Sequence, residues 1–208
     1  MNRRPPARPP DYFLVAIGAS TGGPQALASL LSSAPADFPP TVIVQHMPPS
    51  FIPAFAAHLS HKSRLAVSEA RDGESIGPGR AVLAPGDAHL VVARTAGGWR
   101  GFYAGQDKVN NHCPSIDVLF ESLTPFAPRV IAVLLTGMGC DGARGLLNLR
   151  RHGAITIAQD QASCAVYGMP KVAAALDAVQ YTVPPHEVAP LICTLVAGRL
   201  PYSPKPAP

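Results

Sequence analysis

Three side chains suited to acyl-transfer chemistry stand where apolar runs end. Ser20 lies in "GASTGG", directly after the run "YFLVAIG". His46 follows "TVIVQ", and Asp141 lies in "LLTGMGCDGARG", shortly after "VIAVLL". A hydroxyl is a weak nucleophile until a base takes its proton, and the base works best when a carboxylate orients it. Gly18-Ala19-Ser20-Thr21-Gly22 matches G-x-S-x-G, a sharp strand-to-helix turn that lifts a serine hydroxyl into the open. The helix that follows aims free N–H groups and its positive end at the same place, where an oxyanion would be stabilised. Two other readings share the pattern: a tight turn with an N-capping Ser20, or a phosphate loop lacking its lysine. His46 is followed by Met47 and two prolines that fix the path of the chain. An imidazole, with an ordinary pKa of about 6.5, suits proton transfer near neutrality.

Gly137-x-Gly139-x-x-Gly142 also has the glycine spacing of a dinucleotide-binding turn. Asp141 would place a carboxylate beside the pyrophosphate, and only 66 residues follow Gly142, too few for a two-halved nucleotide fold. The stretch is better read as an acid at a third strand end, able to orient His46. Asp160, which ends "AITIAQD", competes for that role. Asp87, in "PGD", reads as a hairpin turn former. The chain order Ser20, His46, Asp141 differs from the Ser, Asp/Glu, His order of the α/β-hydrolases.

These residues require a parallel sheet to bring them together. Short apolar strands without alternation are separated by segments of helical period. Leu27, Leu30 and Leu31 follow i, i+3, i+4 after Pro24, and Phe51, Ile52, Phe55 and Leu59 do the same after the second run. "RAVLAPGDAHLVVARTAGGWRGFYAG" reads as β-ribbons with turns at Pro85-Gly86-Asp87 and Gly97-Gly98. Helix returns at 115–123 with Ser115 as N-cap, then strand 130–135, helix 143–152, strand 154–158 and helix 170–179. The expected fold is α/β: a doubly wound, mostly parallel sheet with helices on both faces and a β-ribbon insertion. In such sheets chemistry gathers at the carboxyl ends of the strands.

Composition excludes several functions. Apolar residues are 47% and charged residues 14% of the 208, which fits a well-buried domain. Arg3, Arg4, Arg8 and Lys205 account for the whole net charge of +4, leaving residues 11–200 neutral and without the footprint of a nucleic-acid binder. No apolar run approaches the roughly 18 residues of a membrane span, and "MNRRPPARPP" is not a secretory signal. Residues 1–10 and 201–208 read as loose tails around one domain, 11–200. Cys113, Cys140, Cys164 and Cys193 form no C-x-x-C pair, so four reduced thiols in a cytoplasmic protein are expected. His58 and His61 lack the spacing and the Glu of a helical zinc site and read as surface residues.

The blocks "IGASTGGPQAL", "VIVQHMPPSF", "LAPGDAHL", "PSIDVLFESL", "LLTGMGCDGARG" and "AQDQASCAVYGMP" together resemble the catalytic domain of the CheB family of bacterial chemoreceptor methylesterases. The likeness runs from about residue 12 to about residue 180. It implies a triad of Ser20, His46 and Asp141, choosing Asp141 over Asp160. It also implies an oxyanion contact from the backbone N–H of Met138, with Thr21 as an accessory. The implied reaction is hydrolysis of glutamate γ-methyl esters on the cytoplasmic helical bundle of a chemoreceptor, with deamidation of glutamines by the same chemistry. No metal or diffusible cofactor is implied. Family members usually carry a receiver domain before this one, and none is expected within this chain. Asn111 and Cys113 stand where basic residues are expected in many relatives, which would weaken docking on an acidic receptor helix. A non-catalytic receptor-binding module of the same fold is the alternative.

Overall fold

The computed structural model describes residues 13–198. The two terminal tails read from the sequence lie outside these residues. Along the chain come β1 (Leu14–Ala19), α1 (Gly23–Ser32), β2 (Thr41–Gln45), α2 (Ile52–Lys62), β3 (Ala66–Glu69), β4 (Ser75–Ile76), β5 (Arg80–Leu83), β6 (His89–Thr95) and β7 (Gly98–Ala104). They are followed by α3 (Ile116–Ser122), β8 (Val130–Leu134), α4 (Ala143–Arg151), β9 (Ile155–Gln159), α5 (Met169–Ala175), β10 (Tyr181–Val183) and α6 (Pro185–Val196). Seven strands form one sheet in the order β10-β9-β8-β1-β2-β5-β3, and every pairing in it is parallel.

The uninterrupted apolar runs follow from burial on both faces. β1, β2 and β8 are buried at every position. Alternate residues serve opposite cores: Leu14, Ala16, Val42, Val44, Ala132 and Leu134 pack with α3, α4 and α5. Val15, Ile17, Ile43, Ile131 and Val133 pack with α1, α2 and α6. The helical period read at Leu27, Leu30 and Leu31 is the buried face of α1, all three at 0% exposure, each contributing roughly 1.5–3 kcal/mol by burial.

The ribbon is a separate three-stranded antiparallel sheet, β4-β7-β6, whose Ile76, Leu90, Val92 and Trp99 join the core on the α3 side. Two readings of this region need correction. β5 (Arg80–Leu83) belongs to the main sheet, paired in parallel with β2 and β3, and is not part of the ribbon. Four residues with no visible alternation could not reveal which sheet they join. Asp87 therefore lies, exposed, on the crossing from β5 to β6 and not in a hairpin turn; the hairpin is the one through Gly97 and Gly98. β3, β10 and α6 carry no strong sequence signal. The two strands are short, and Pro190 interrupts the helical pattern of α6.

Candidate active site

β1 lies between β2 and β8, so the carboxyl ends of the three strands that carry Ser20, His46 and Asp141 are neighbours. Ala19 pairs with Gln45 in register, so Ser20 and His46 are the next residues on adjacent strands. The His46 N–H donates to Ala19 O at 3.1 Å. Gln45 Nε2 donates to both Ser20 O and His46 O at 3.0 Å, tying the two strand exits together. On the other side, the Ser20 N–H donates to Thr136 O at 3.0 Å. Thr136 Oγ1 donates to Thr21 O, and its own N–H donates to Gln159 Oε1 at 2.9 Å. Glutamines that end apolar strands are thus the ties between the loops of this rim.

The turn after Ser20 owes its shape to Gly22, whose φ of 80° is in the left-handed region, while Ser20 itself has no positive φ. The left-handed step of the turn thus falls on a glycine, where it meets no steric penalty, and not on the serine. Close approach explains Gly137: a Cβ there would sit 2.7 Å from Ser20 Cβ and 2.6 Å from Met169 Sδ.

His46 Nε2 lies 3.0 Å from Asp141 Oδ2. Asp141 is 1% exposed and accepts four more hydrogen bonds. These come from Ile116 N–H at 2.7 Å, Ser115 Oγ at 2.8 Å, Asn110 Nδ2 at 2.9 Å and Asp117 N–H at 3.3 Å. Ser115 also caps α3 as read, accepting from Val118 N–H. Asp141 thus sits against the first turn of α3, where free N–H groups favour an anion. Burial alone would raise its pKa, but the bonds from His46, Asn110, Ile116 and Ser115 outweigh it and hold the carboxylate at about 2. With its carboxylate committed to His46 and to the donors around α3, Asp141 has a task that a dinucleotide-binding turn does not call for. Asp160 stands at the end of β9, beyond β8 from β1, and accepts a bond from Ser163.

With Nε2 committed to Asp141, Nδ1 is the ring nitrogen that remains. It is shielded from solvent and makes no hydrogen bond, and Ser20 Oγ is not bonded to it in this state. The nitrogen that faces the acid is Nε2, where in chymotrypsin-type triads it is Nδ1. Ser20, Thr21, Gln45, His46, Met47, Pro48 and Phe51 line an open groove of about 380 Å³. Phe51, read as part of a buried helical face, is 60% exposed at the groove edge, because it precedes α2 in a short 3-10 turn. The Met138 side chain is 67% exposed, and the backbone N–H of Met138 donates to nothing among the described residues. A larger polar cavity, lined by Glu69, Arg71, Glu74, Arg80 and Tyr103, contains none of these residues.

Four further residues at the site were not read as part of it from the sequence: Asn110, His112 and Ser115, from the segment between β7 and α3, and Asp117, in the first turn of α3. Ser115 was read only as a helix cap. Val109 and His112 exchange backbone hydrogen bonds at 3.0 and 2.9 Å around Asn110 (φ 51°) and Asn111 (φ 65°). That is the pattern of a two-residue I′ hairpin loop, which asparagine enters readily. The departure noted at Asn111 is therefore a turn-forming choice.

The chain matches the family described as CheB methylesterase over residues 15–192. It belongs to the CheB methylesterase family. It is 49% identical over 187 residues to the protein-glutamate methylesterase/protein-glutamine glutaminase 2 of Pseudomonas aeruginosa, covering 89% of this chain and 54% of that one. Against the protein-glutamate methylesterase/protein-glutamine glutaminase of Sulfurimonas denitrificans it is 46% identical, covering 89% and 53%. The chain spans about half the length of the curated relatives it matches. The crystal structure of the Thermotoga maritima CheB methylesterase catalytic domain superposes with a TM-score of 0.86 at 38% identity, covering 89% of this chain and 99% of that one. The CheB-type α/β fold read from the sequence is thus the observed one. No described helix is long and apolar enough to cross a membrane.

Proposed function

We propose that this CheB-family chain is a serine esterase that removes γ-methyl esters from glutamate side chains of chemoreceptors and deamidates glutamines by the same route. The observation that carries this is the 3.0 Å bond from His46 Nε2 to Asp141 Oδ2, made on the strand next to Ser20. Nε2 keeps its proton to donate to the carboxylate, so Nδ1 holds the lone pair. A buried acceptor without a partner costs about 1–3 kcal/mol, and a rotamer change at Ser20 supplies the missing donor. Catalytic bonds of this kind commonly tighten only when substrate arrives.

Ser20 Oγ attacks the ester carbonyl as His46 Nδ1 takes its proton. Asp141, ionised throughout, stabilises the imidazolium. The tetrahedral oxyanion is met by the unpaired N–H of Met138, with Thr21 beside the nucleophile as accessory. Collapse returns the proton to the departing methoxide, releasing methanol and leaving an acyl-enzyme. Water activated by the same imidazole then frees the glutamate and Ser20. An amide follows the same path with ammonia as the leaving group. Phe51 at the groove edge and the exposed Met138 suit contact with apolar stretches of a receptor helical bundle in the cytoplasm.

The test is methanol release from methylated receptor fragments. Wild type should release methanol and Ser20→Ala should release none while keeping its fold. Release by Ser20→Ala at the wild-type rate would overturn the proposal.

A further inference from the structure

The Val109–His112 hairpin does more than shape a loop: it places an aromatic ring flat on the base of the triad. The rings of His112 and His46 have centroids 3.7 Å apart and planes only 9° from parallel. His112 makes no hydrogen bond through its ring among the described residues, so this stack is its contact. The same hairpin sends Asn110 Nδ2 to Asp141 Oδ1 at 2.9 Å. One two-residue turn thus holds both the imidazole and its carboxylate.

A histidine ring needs such help. Its terminal torsion is soft, with a broad range of angles about Cβ–Cγ. The bond to Asp141 fixes one point of the ring, and the ring can still swing about that point. A flat partner against one face removes the swing and holds Nδ1 in one plane. We infer that His112 is a positioning residue: by stacking on His46 it fixes the plane in which Nδ1 takes the proton from Ser20. This inference rests on the serine-esterase reading and adds to it a fourth side chain.

The charge state of His112 agrees with the role. Burial lowers its pKa first, the charge of His46 lowers it further, and Lys108 acts in the same direction, while Asp141 opposes them. A neutral ring lies against His46 when His46 becomes imidazolium; a second cation there would oppose the proton transfer that the triad exists to make. Shape and neutrality, not proton chemistry of its own, define what His112 must supply.

The discriminating comparison is a flat ring against an apolar side chain that is not flat. His112→Phe, His112→Leu and His112→Ala would be measured for methanol release from a methylated receptor fragment, with kcat and KM separated, and for the rate of labelling by a fluorophosphonate. His112→Phe should stay within about 3-fold of wild type in both assays. His112→Leu and His112→Ala should fall roughly 10-fold or more in kcat and in labelling rate, with KM little changed, because orientation and not substrate binding is lost. If Ala prevents folding, the Phe–Leu comparison decides. Equal activity of Phe and Leu variants, or a loss confined to KM, would overturn the inference. A wild-type protein that neither releases methanol nor labels would instead overturn the esterase reading itself, so the two failures are distinguishable.

Discussion

Asp117 and Asp141, two buried carboxylates, share one amide: Asn110 Nδ2 donates to Asp117 Oδ2 at 2.7 Å and to Asp141 Oδ1 at 2.9 Å. Their answers to burial differ. Asp141 has His46 and a set of N–H donors and is held low, whereas burial raises Asp117 despite its bonds from Gly145 N–H and Asn110. The shared amide keeps two acids of different character side by side. Asn110→Gly removes that amide and tolerates the positive φ. It should cost about 1–3 kcal/mol of folding stability, the penalty for buried acceptors left short of a donor. Denaturant melts measure it, and a change below a few tenths of a kcal/mol would show the amide to be dispensable.

The depressed pKa of Asp141 fixes the sign of an acid effect. A group lowered from 3.8 to about 2 contributes stability that is fully present above its unfolded value and is lost as pH falls through about 2. At 1.36 kcal/mol per unit that is on the order of 2 kcal/mol. Unfolding free energy should therefore drop between about pH 4 and pH 2 in wild type, with a shallower slope in Asp141→Asn. Asp117, raised, works in the opposite sense and gives up its contribution as pH rises. Equal acid slopes in wild type and Asp141→Asn would show that Asp141 is not held low.

Asp141→Asn should also cripple catalysis while leaving the groove in place. An amide can offer its oxygen or its nitrogen to Nε2, so the productive tautomer is no longer enforced. A loss in kcat on the order of 10³–10⁴ is expected in methanol release. Retention of a tenth or more of the activity would remove Asp141 from the mechanism.

Gly137→Ala tests the tightness of the rim. Its Cβ would meet Ser20 Cβ at 2.7 Å and Met169 Sδ at 2.6 Å. Something must shift, and a displacement of about 1 Å at the nucleophile is worth roughly 100-fold in rate. The expected result is a large fall in kcat/KM with about 1–3 kcal/mol of destabilisation, read from kinetics and thermal melts on one preparation. Undiminished kcat/KM would show that the rim yields without moving Ser20.

The main sheet was legible because burial on both faces writes itself into the sequence as unbroken apolar runs. Those runs end next to Ser20 and His46 and a few residues before Asp141, which marked all three as candidates, while the choice of Asp141 over Asp160 came from the resemblance to the CheB family. What holds them could not. Asn110 reaches Asp141 across 31 residues, and Ser115 does so across 26, from a polar segment with no periodicity. His112 acts through a stacked face, which no spacing rule encodes. β5 joined the wrong sheet for a related reason: four apolar residues fit a ribbon or a parallel core equally well. Phe51 fitted the helical period but lies just before α2 begins, so it points outward at the site.

The claim on which the account turns is that Ser20 is the nucleophile made reactive by His46. Locating the adduct of a fluorophosphonate on the intact chain by peptide mass spectrometry tests it most directly. One adduct is expected, on Ser20, absent in Ser20→Ala and formed far more slowly in His46→Ala. An adduct on another residue, or labelling of Ser20 that proceeds unchanged without the imidazole, would contradict it.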